Sequence, residues 1–309
     1  MTALQDDRPA AAAVAGDAGV ETPFRRFVAD YRESPVAMVG AVTVGIIALI
    51  ALFGPWIAPT DPYDLATVSI LDARLEPGEA MMNGATAWLG TDGLGRDMLS
   101  AMIYGLRISL GVGIGSGVIA MLIGCSLGLM AAFYGGRVDT LIMRVVDIQL
   151  SFPAILVALI LLAVLGKGID KIIVSLVVVQ WAYYARTIRG SALVERRKEY
   201  VEAAASLALG DRRVLFRHLL PNCLAPIIVV VTVQTAHAIS LEATLSFLGL
   251  GLPQTEPSLG LLISNGFEYI MSGSYWISTF PGIALLVTIV SINLVGDRLR
   301  DVLNPRLQK

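Results

Sequence analysis

Apolar stretches alternate with short polar or charged ones along this chain, at residues 36–59, 109–136, 145–166, 172–190, 221–241 and 276–296. A helix rises about 1.5 Å per residue, so about 20 apolar residues cross a hydrocarbon core roughly 30 Å thick. Five of the stretches are long enough outright. The fourth is apolar from Ile172 to Ala185 and reaches that length at Gly190, with Arg186 and Arg189 snorkelling to the interface. The pattern predicts an all-α integral membrane protein with six transmembrane helices. Around the spans of 36–296 it leaves a tail over 1–35, an outside loop over 60–108, an inside loop over 191–220 and a tail over 297–309.

Composition agrees. Of the 309 residues, 55% are hydrophobic and 16% charged, against about 25% charged in soluble domains, and the mean hydropathy is +0.71. The net charge of -2 carries no basic bias, so a nucleic-acid partner is not expected. Cys125 and Cys223 lie in or beside apolar stretches and read as small buried residues rather than a disulfide. With only two histidines, a histidine-based metal site is not expected. The first 22 residues, rich in Ala, Asp and Gly, lack a basic region followed by an apolar core; a disordered tail rather than a signal peptide is expected there. No internal repeat stands out.

Lysine and arginine placement gives the orientation. With the N-terminus inside, eighteen of the 23 basic residues fall on inside segments and four, Arg74, Arg96, Lys167 and Lys171, outside, with Arg107 at a boundary. Both termini are therefore expected in the cytoplasm, which requires an even number of spans.

Two segments carry candidate chemistry. On the inside, Glu199 to Gly210 reads as a short amphipathic helix of strong helix formers, with Gly210 as its stop. Asp211 then caps a second helix that Pro221 limits. The small face of Ala203, Ala204 and Ala205 suits close approach by another protein. On the outside, Leu94 to Arg107 has apolar residues near helical spacing and reads as an interfacial helix capped by Thr91 or Asp92. The Asp92–Asp97 spacing does not fit a calcium loop.

Glu202-Ala203-Ala204, followed by Leu220-Pro221-Asn222, resembles the EAA loop of ABC importer permeases. Trp88 to Asp97 resembles the GTDxxGRD segment of peptide and nickel permeases of the C-subunit type. So do Tyr134-Gly-Gly136 with Arg144 and Asp147, Ser151-Phe-Pro153, Leu245 to Gly251, and Asn293 to Asp297. Each motif is weak alone, but their ordered set, spanning roughly Phe24 to Arg306, is specific. Ala208 stands where the family pattern has glycine, and His218 where many members have isoleucine.

The resemblance implies a type I ABC importer permease fold in the bacterial inner (plasma) membrane, paired with a homologous B-type permease around a shared pathway. It implies two ATPase subunits, an extracytoplasmic peptide-binding protein and membrane lipid as further partners. Glu199, Glu202, Ala203, Ala204, Ala208, Gly210, Leu220 and Pro221 would form the helix that docks on the ATPase, and Thr91, Asp92, Arg96 and Asp97 a docking loop for the binding protein. The chain has no Gly-x-x-x-x-Gly-Lys-Ser/Thr phosphate loop, the nearest run being Gly166-Lys-Gly168. It is therefore expected to hold no catalytic residue and no cofactor, with ATP and Mg2+ on the partner ATPases. Asp147, His237 and Glu242 are candidate pathway residues, with bundle packing as the other reading of His237 and loop anchoring that of Glu242. The glycines of the second segment, 111, 113, 115, 117, 124 and 128, favour close helix packing over a pathway lining. Nickel or another small solute is the alternative cargo. A secondary transporter or channel is disfavoured, because such proteins place ionisable groups at the membrane centre.

Overall fold

The computed structural model describes residues 23–64 and 68–303. The tail expected over 1–22, and the stretch 304–309, lie outside them. The described residues are predominantly helical, with two isolated bridges, Ala80 with Thr86 and Thr91 with Asp97.

Helix α1 (Pro23–Arg32) is amphipathic and is followed by α2 (Pro35–Ile57). Ser34 caps α2, accepting from the Ala37 N–H at 3.3 Å, and Pro35 supplies a first-turn residue that has no N–H to satisfy. Tyr31 of α1 donates to the Ala37 carbonyl at 3.3 Å, and the Arg298 side chain donates to the Asp30 carbonyl.

Helix α3 (Met98–Tyr134) runs for 37 residues, about 55 Å. This corrects the expected interfacial helix over 94–107. From Met98 on, the segment is the first part of α3, continuous with the second apolar stretch, and its cap is Asp97 rather than Thr91 or Asp92. Continuity is favoured because Met98 to Ser109 contains no proline. Its one glycine, Gly105, is pressed against the backbone at Ser258 and Leu259, where an added Cβ would lie 3.2 Å from the Leu259 nitrogen.

The third stretch, expected as one span over 145–166, is two helices, α4 (Gly136–Ser151) and α5 (Ala154–Leu165), meeting at 91°. Pro153 causes the break. It lacks an N–H and pushes Phe152 out of the helical region, to φ -94 and ψ 142. Then come α6 (Ile169–Glu195), α7 (Glu199–Ser206), α8 (Asp211–Arg213), a π-helical segment Val214–Leu219 and α9 (Leu220–Asn222). The chain closes with α10 (Leu224–Phe247), α11 (Leu259–Phe267) and α12 (Trp276–Val302). The fifth long helix thus starts at Leu224 rather than Pro221.

Among the described residues, α2, α3, α10 and α12 are long and apolar enough to cross a membrane, and the bent pair α4–α5 makes a fifth candidate. Helix α6 has 27 residues, about 40 Å, but is less apolar. Its position explains why. Ser175, Gln180, Tyr184 and Glu195 are buried against other helices, so this helix faces protein rather than lipid.

The packing between α3 and α6 is the most extensive in the bundle. It is set by glycines four residues apart. A Cβ at Gly124 would lie 2.3 Å from the Trp181 carbonyl oxygen, and one at Gly128 2.3 Å from the Ala185 carbonyl oxygen. Gly111 and Gly115 face open space. The second apolar stretch therefore divides into glycines that permit helix contact and glycines that do not. Gly128→Ala is expected to destabilise the detergent-solubilised chain by about 1–3 kcal/mol, while Gly115→Ala leaves the unfolding midpoint unchanged or raised. Equal midpoints for the two variants would contradict this account of the α3–α6 contact.

Candidate functional site

Helix α7 sits at the end of the bundle where α1, the last turn of α6 and the end of α12 gather. Glu199 and Glu202 lie in its first turn, where carboxylates complement the exposed N–H groups. Val201 and Ala204 turn inward into one apolar cluster with Val214, Leu215 and Leu219 of the following π-helical segment. Ala204 is only 4% exposed. This corrects the reading of Ala204 as part of a face offered to another protein: it is a knob in the chain's own core. Glu199, Glu202 and Ala203 are exposed.

The stop of α7 also differs from the expectation. Gly210 has φ -59, an ordinary value, and Ala208 takes the left-handed conformation at φ 51. The Leu209 N–H reaches back to the Ala204 carbonyl at 3.2 Å, the six-to-one bond of a Schellman turn with Ala208 at its left-handed position. Gly210 instead precedes α8 as its N-cap, and Asp211 is the first residue of that helix rather than its cap. Pro221 lies in the first turn of α9, where its missing N–H is no defect, and half-buried Leu220 packs against the same cluster as Ala204.

Beside α7, a cleft of about 960 Å³ opens between α6, α10 and α12. Val229, Val230 and Val233 give it apolar walls, with Gln234 among them. Glu195, Lys198, Asp297 and Arg300 bring charge to the same cleft near the α7 end. Tyr200 of α7 is half-buried, and burial, followed by its hydrogen bond to Glu195, pushes its hydroxyl up to about 12. Arg196 donates to the Ala132 carbonyl at 2.9 Å and lies over the Phe133 ring, fastening the end of α6 to the end of α3.

The four residues expected to form an outside docking loop are brought together, but inward. Thr91, Asp92, Arg96 and Asp97 are between 0% and 4% exposed. Asp92 accepts from the Leu94 and Arg96 N–H groups and from the Arg96 guanidinium. Arg96 also donates to the Gln254 carbonyl at 3.2 Å. Asp97 caps α3, accepting from the Ser100 N–H at 2.8 Å and its hydroxyl at 2.6 Å. Thr91 accepts from the Leu75 N–H and donates to the Asp72 carbonyl, while its own carbonyl accepts from the Trp276 indole. Gly95, at φ 84, is required: a Cβ there would meet the Ser69 carbonyl oxygen at 2.0 Å. Buried as they are, these four side chains shape the loop from within.

The pathway candidates are not brought together. Glu242 is fully buried and accepts from the hydroxyls of Ser109 at 2.9 Å and Ser246 at 2.8 Å, tying α10 to α3. It does not line the cleft. His237 is exposed on α10, and Asp147 of α4 is exposed and paired with Arg186 of α6. Three features escaped the sequence pattern. Leu207, 73% exposed at the turn after α7, is an apolar tip whose signal was a leucine just beyond the alanine run. Glu195 stood unnoticed inside a charged stretch. Asp139 of α4 holds Arg189 of α6 through two hydrogen bonds; an arginine at the end of an apolar stretch was the cue to look for its acid.

Comparison with known proteins adds context to this geometry. Residues 124–309 match the family described as binding-protein-dependent transport system inner membrane component, and residues 22–77 match the N-terminal transmembrane domain of oligopeptide transport permease C. A putative peptide transport system permease protein of Brucella suis is 41% identical over 87% of this chain and 88% of its own. The di/tripeptide transport system permease DppC of Pseudomonas aeruginosa is 37% identical over 93% of each chain. The oligopeptide transport system permease OppC of Bacillus subtilis is 37% identical over 90% of this chain and 88% of its own. A solved inward-facing structure of the MetNI methionine ABC transporter shares the fold, with a TM-score of 0.54 at 20% identity, covering 67% of this chain and 98% of that one.

The left-handed alanine generates a prediction. Ala208→Gly removes strain of about 1 kcal/mol and slows amide exchange across α7 about fivefold. Exchange equal to or faster than in the wild type would show that the turn is not strained at this residue.

Proposed function

Because the chain belongs to the family of binding-protein-dependent transport inner-membrane components, we propose that it imports peptides as one of two permeases whose movement is driven by separate ATPase subunits. The single observation that carries the coupling role is helix α7. It is short, exposed on one face through Glu199, Glu202 and Ala203, and keyed into the bundle on the other through Val201 and Ala204. Such a helix, pressed from outside, moves the core it is keyed into.

The α7 end is the cytoplasmic one. Arg25, Arg26, Arg32, Arg212, Arg213, Arg217, Arg298 and Arg300 lie on elements at that end, and Arg196, Arg197 and Lys198 on the turn between α6 and α7; basic residues favour the inside. With α6 and the bent pair each crossing once, the chain has six spans. The cleft between α6, α10 and α12 is this subunit's half of the pathway, completed by the partner permease. A peptide's backbone finds apolar walls there and an amide at Gln234. ATP and Mg2+ are held by the ATPases; this chain contributes the receiving surface. Leu207, exposed at the tip beyond α7, is its apolar anchor, since an exposed leucine beside a docking helix fits a pocket on a partner.

Two experiments test the reading. The tagged chain, extracted from its native membrane, brings down a second permease and two ATPase subunits, and the reconstituted assembly takes up peptides only with ATP and the binding protein. Uptake by the isolated chain without ATP would overturn it. Leu207→Glu, at a site 73% exposed, leaves the chain's membrane yield intact and lowers ATPase recovery at least about tenfold. Undiminished recovery would remove Leu207 from the interface.

A further inference from the structure

The last residue of α6 is Glu195, whose side chain is almost wholly buried although it stands at the edge of a basic loop. Its Oε1 accepts from the Tyr200 hydroxyl at 3.0 Å and from Lys198 Nζ at 2.9 Å, and its Oε2 lies 2.8 Å from the same ammonium. Tyr200 belongs to α7. Glu195 and Lys198 line the cleft together with Asn222, which precedes α10. One carboxylate thus ties α7 to the end of α6, at a cytoplasmic cleft mouth that the approach to α10 also lines.

Anchoring α7 does not require this. Val201 and Ala204 already hold the helix by apolar contact, and burying a carboxylate is costly unless donors surround it. Apolar contact is non-directional and lets surfaces slide. A hydrogen bond to a charged acceptor fixes distance and direction. Tyrosine suits the other end of such a link, because its ring is rigid and has only two side-chain torsions.

We propose that Glu195 is a positioning residue, a strut that carries displacement of α7 into α6 and the approach to α10 and so opens or closes the mouth of the cleft. The Tyr200 hydroxyl is the point where the load enters, and Lys198 pins the carboxylate in place. The proposal rests on the coupling role assigned to α7 above. It goes further by naming the groups through which a docked ATPase acts on the pathway.

The test uses the complete complex in proteoliposomes, with both permeases, both ATPases and the binding protein, and a labelled mixture of di- to pentapeptides as probe. The readout is ATP hydrolysed per peptide imported. Tyr200→Phe removes one oxygen and keeps the ring, and is expected to raise that ratio at least about threefold, the lower range for one lost intramolecular hydrogen bond. Glu195→Gln keeps an oxygen that accepts from the Tyr200 hydroxyl and is expected to stay within about twofold of the wild type. Glu195→Leu, which leaves no acceptor, behaves like Tyr200→Phe. A Tyr200→Phe complex with an unchanged ratio overturns the strut, including one in which uptake and hydrolysis fall by the same factor. A wild-type complex that imports no peptide with ATP sinks the function reading, and the strut with it. A working wild type with an unaltered Tyr200→Phe ratio sinks the strut alone.

Discussion

Lipid is as apolar as leucine, so apolar surface alone gives membrane helices little reason to associate. Close backbone approach between α3 and α6 is the constraint on which this bundle depends. Gly124 and Gly128 leave room for the Trp181 and Ala185 carbonyls, and any side chain there would force the helices apart. Once α6 is fixed against α3, other elements follow from it. Arg189 draws Asp139 of α4 to its side, and Arg186 draws Asp147. Arg196 ties the end of α6 to the last turn of α3 through the Ala132 carbonyl. The position of α7, and of the carboxylate beneath it, is inherited from that contact.

The opposite end is fixed by different forces. There the chain folds Thr91, Asp92, Arg96 and Asp97 into a buried polar network. Its hydrogen bonds reach Gln254 before α11 and Trp276 at the start of α12. Buried charges are tolerated because they are paired and bonded: the Asp92 carboxylate meets a guanidinium and two backbone N–H groups. Glu242, one level deeper, repeats the device with two serine hydroxyls.

Much of this was legible in the sequence, for identifiable reasons. Span length and hydropathy respond to a solvent of fixed thickness, so the stretches that became α2, α10 and α12 stood out to within a few residues, except that α10 runs on to Phe247 and α12 to Val302. The EAA-like motif pointed at a short helix, and one is present at Glu199–Ser206. What was illegible is direction. An alanine has the same letter whether it faces inward or outward, so the burial of Ala204 needed the fold of the π-helical segment opposite it. An acidic, polar motif such as Thr91–Asp97 reads as a solvated loop until its partners, more than 150 residues away at Gln254 and Trp276, are brought to it. The bend at Pro153 was visible as a proline, but its 91° angle was not, because apolarity continues on both sides. The start of α3 was obscured because polar and apolar residues mix in its first turns.

The two ends also differ in the kind of contact that holds them. Directional bonds between buried charges fix the end that carries Thr91–Asp97; moving it would expose several unpaired groups at once. At the α7 end the joints are softer: apolar knobs at Val201 and Ala204, a left-handed alanine, a π-helical turn, and Cys223 outside helical geometry at φ -100 and ψ 2 between α9 and α10. A π-helical segment and a strained turn lie nearer in free energy to alternative backbone paths than regular helix does. The chain around α7 is thus the more compliant end of the bundle, and the buried network at Thr91–Asp97 the stiffer one. Within the compliant end, the links from Glu195 to Tyr200 and Lys198 are the directional bonds that join α7's tyrosine to the wall of the cleft.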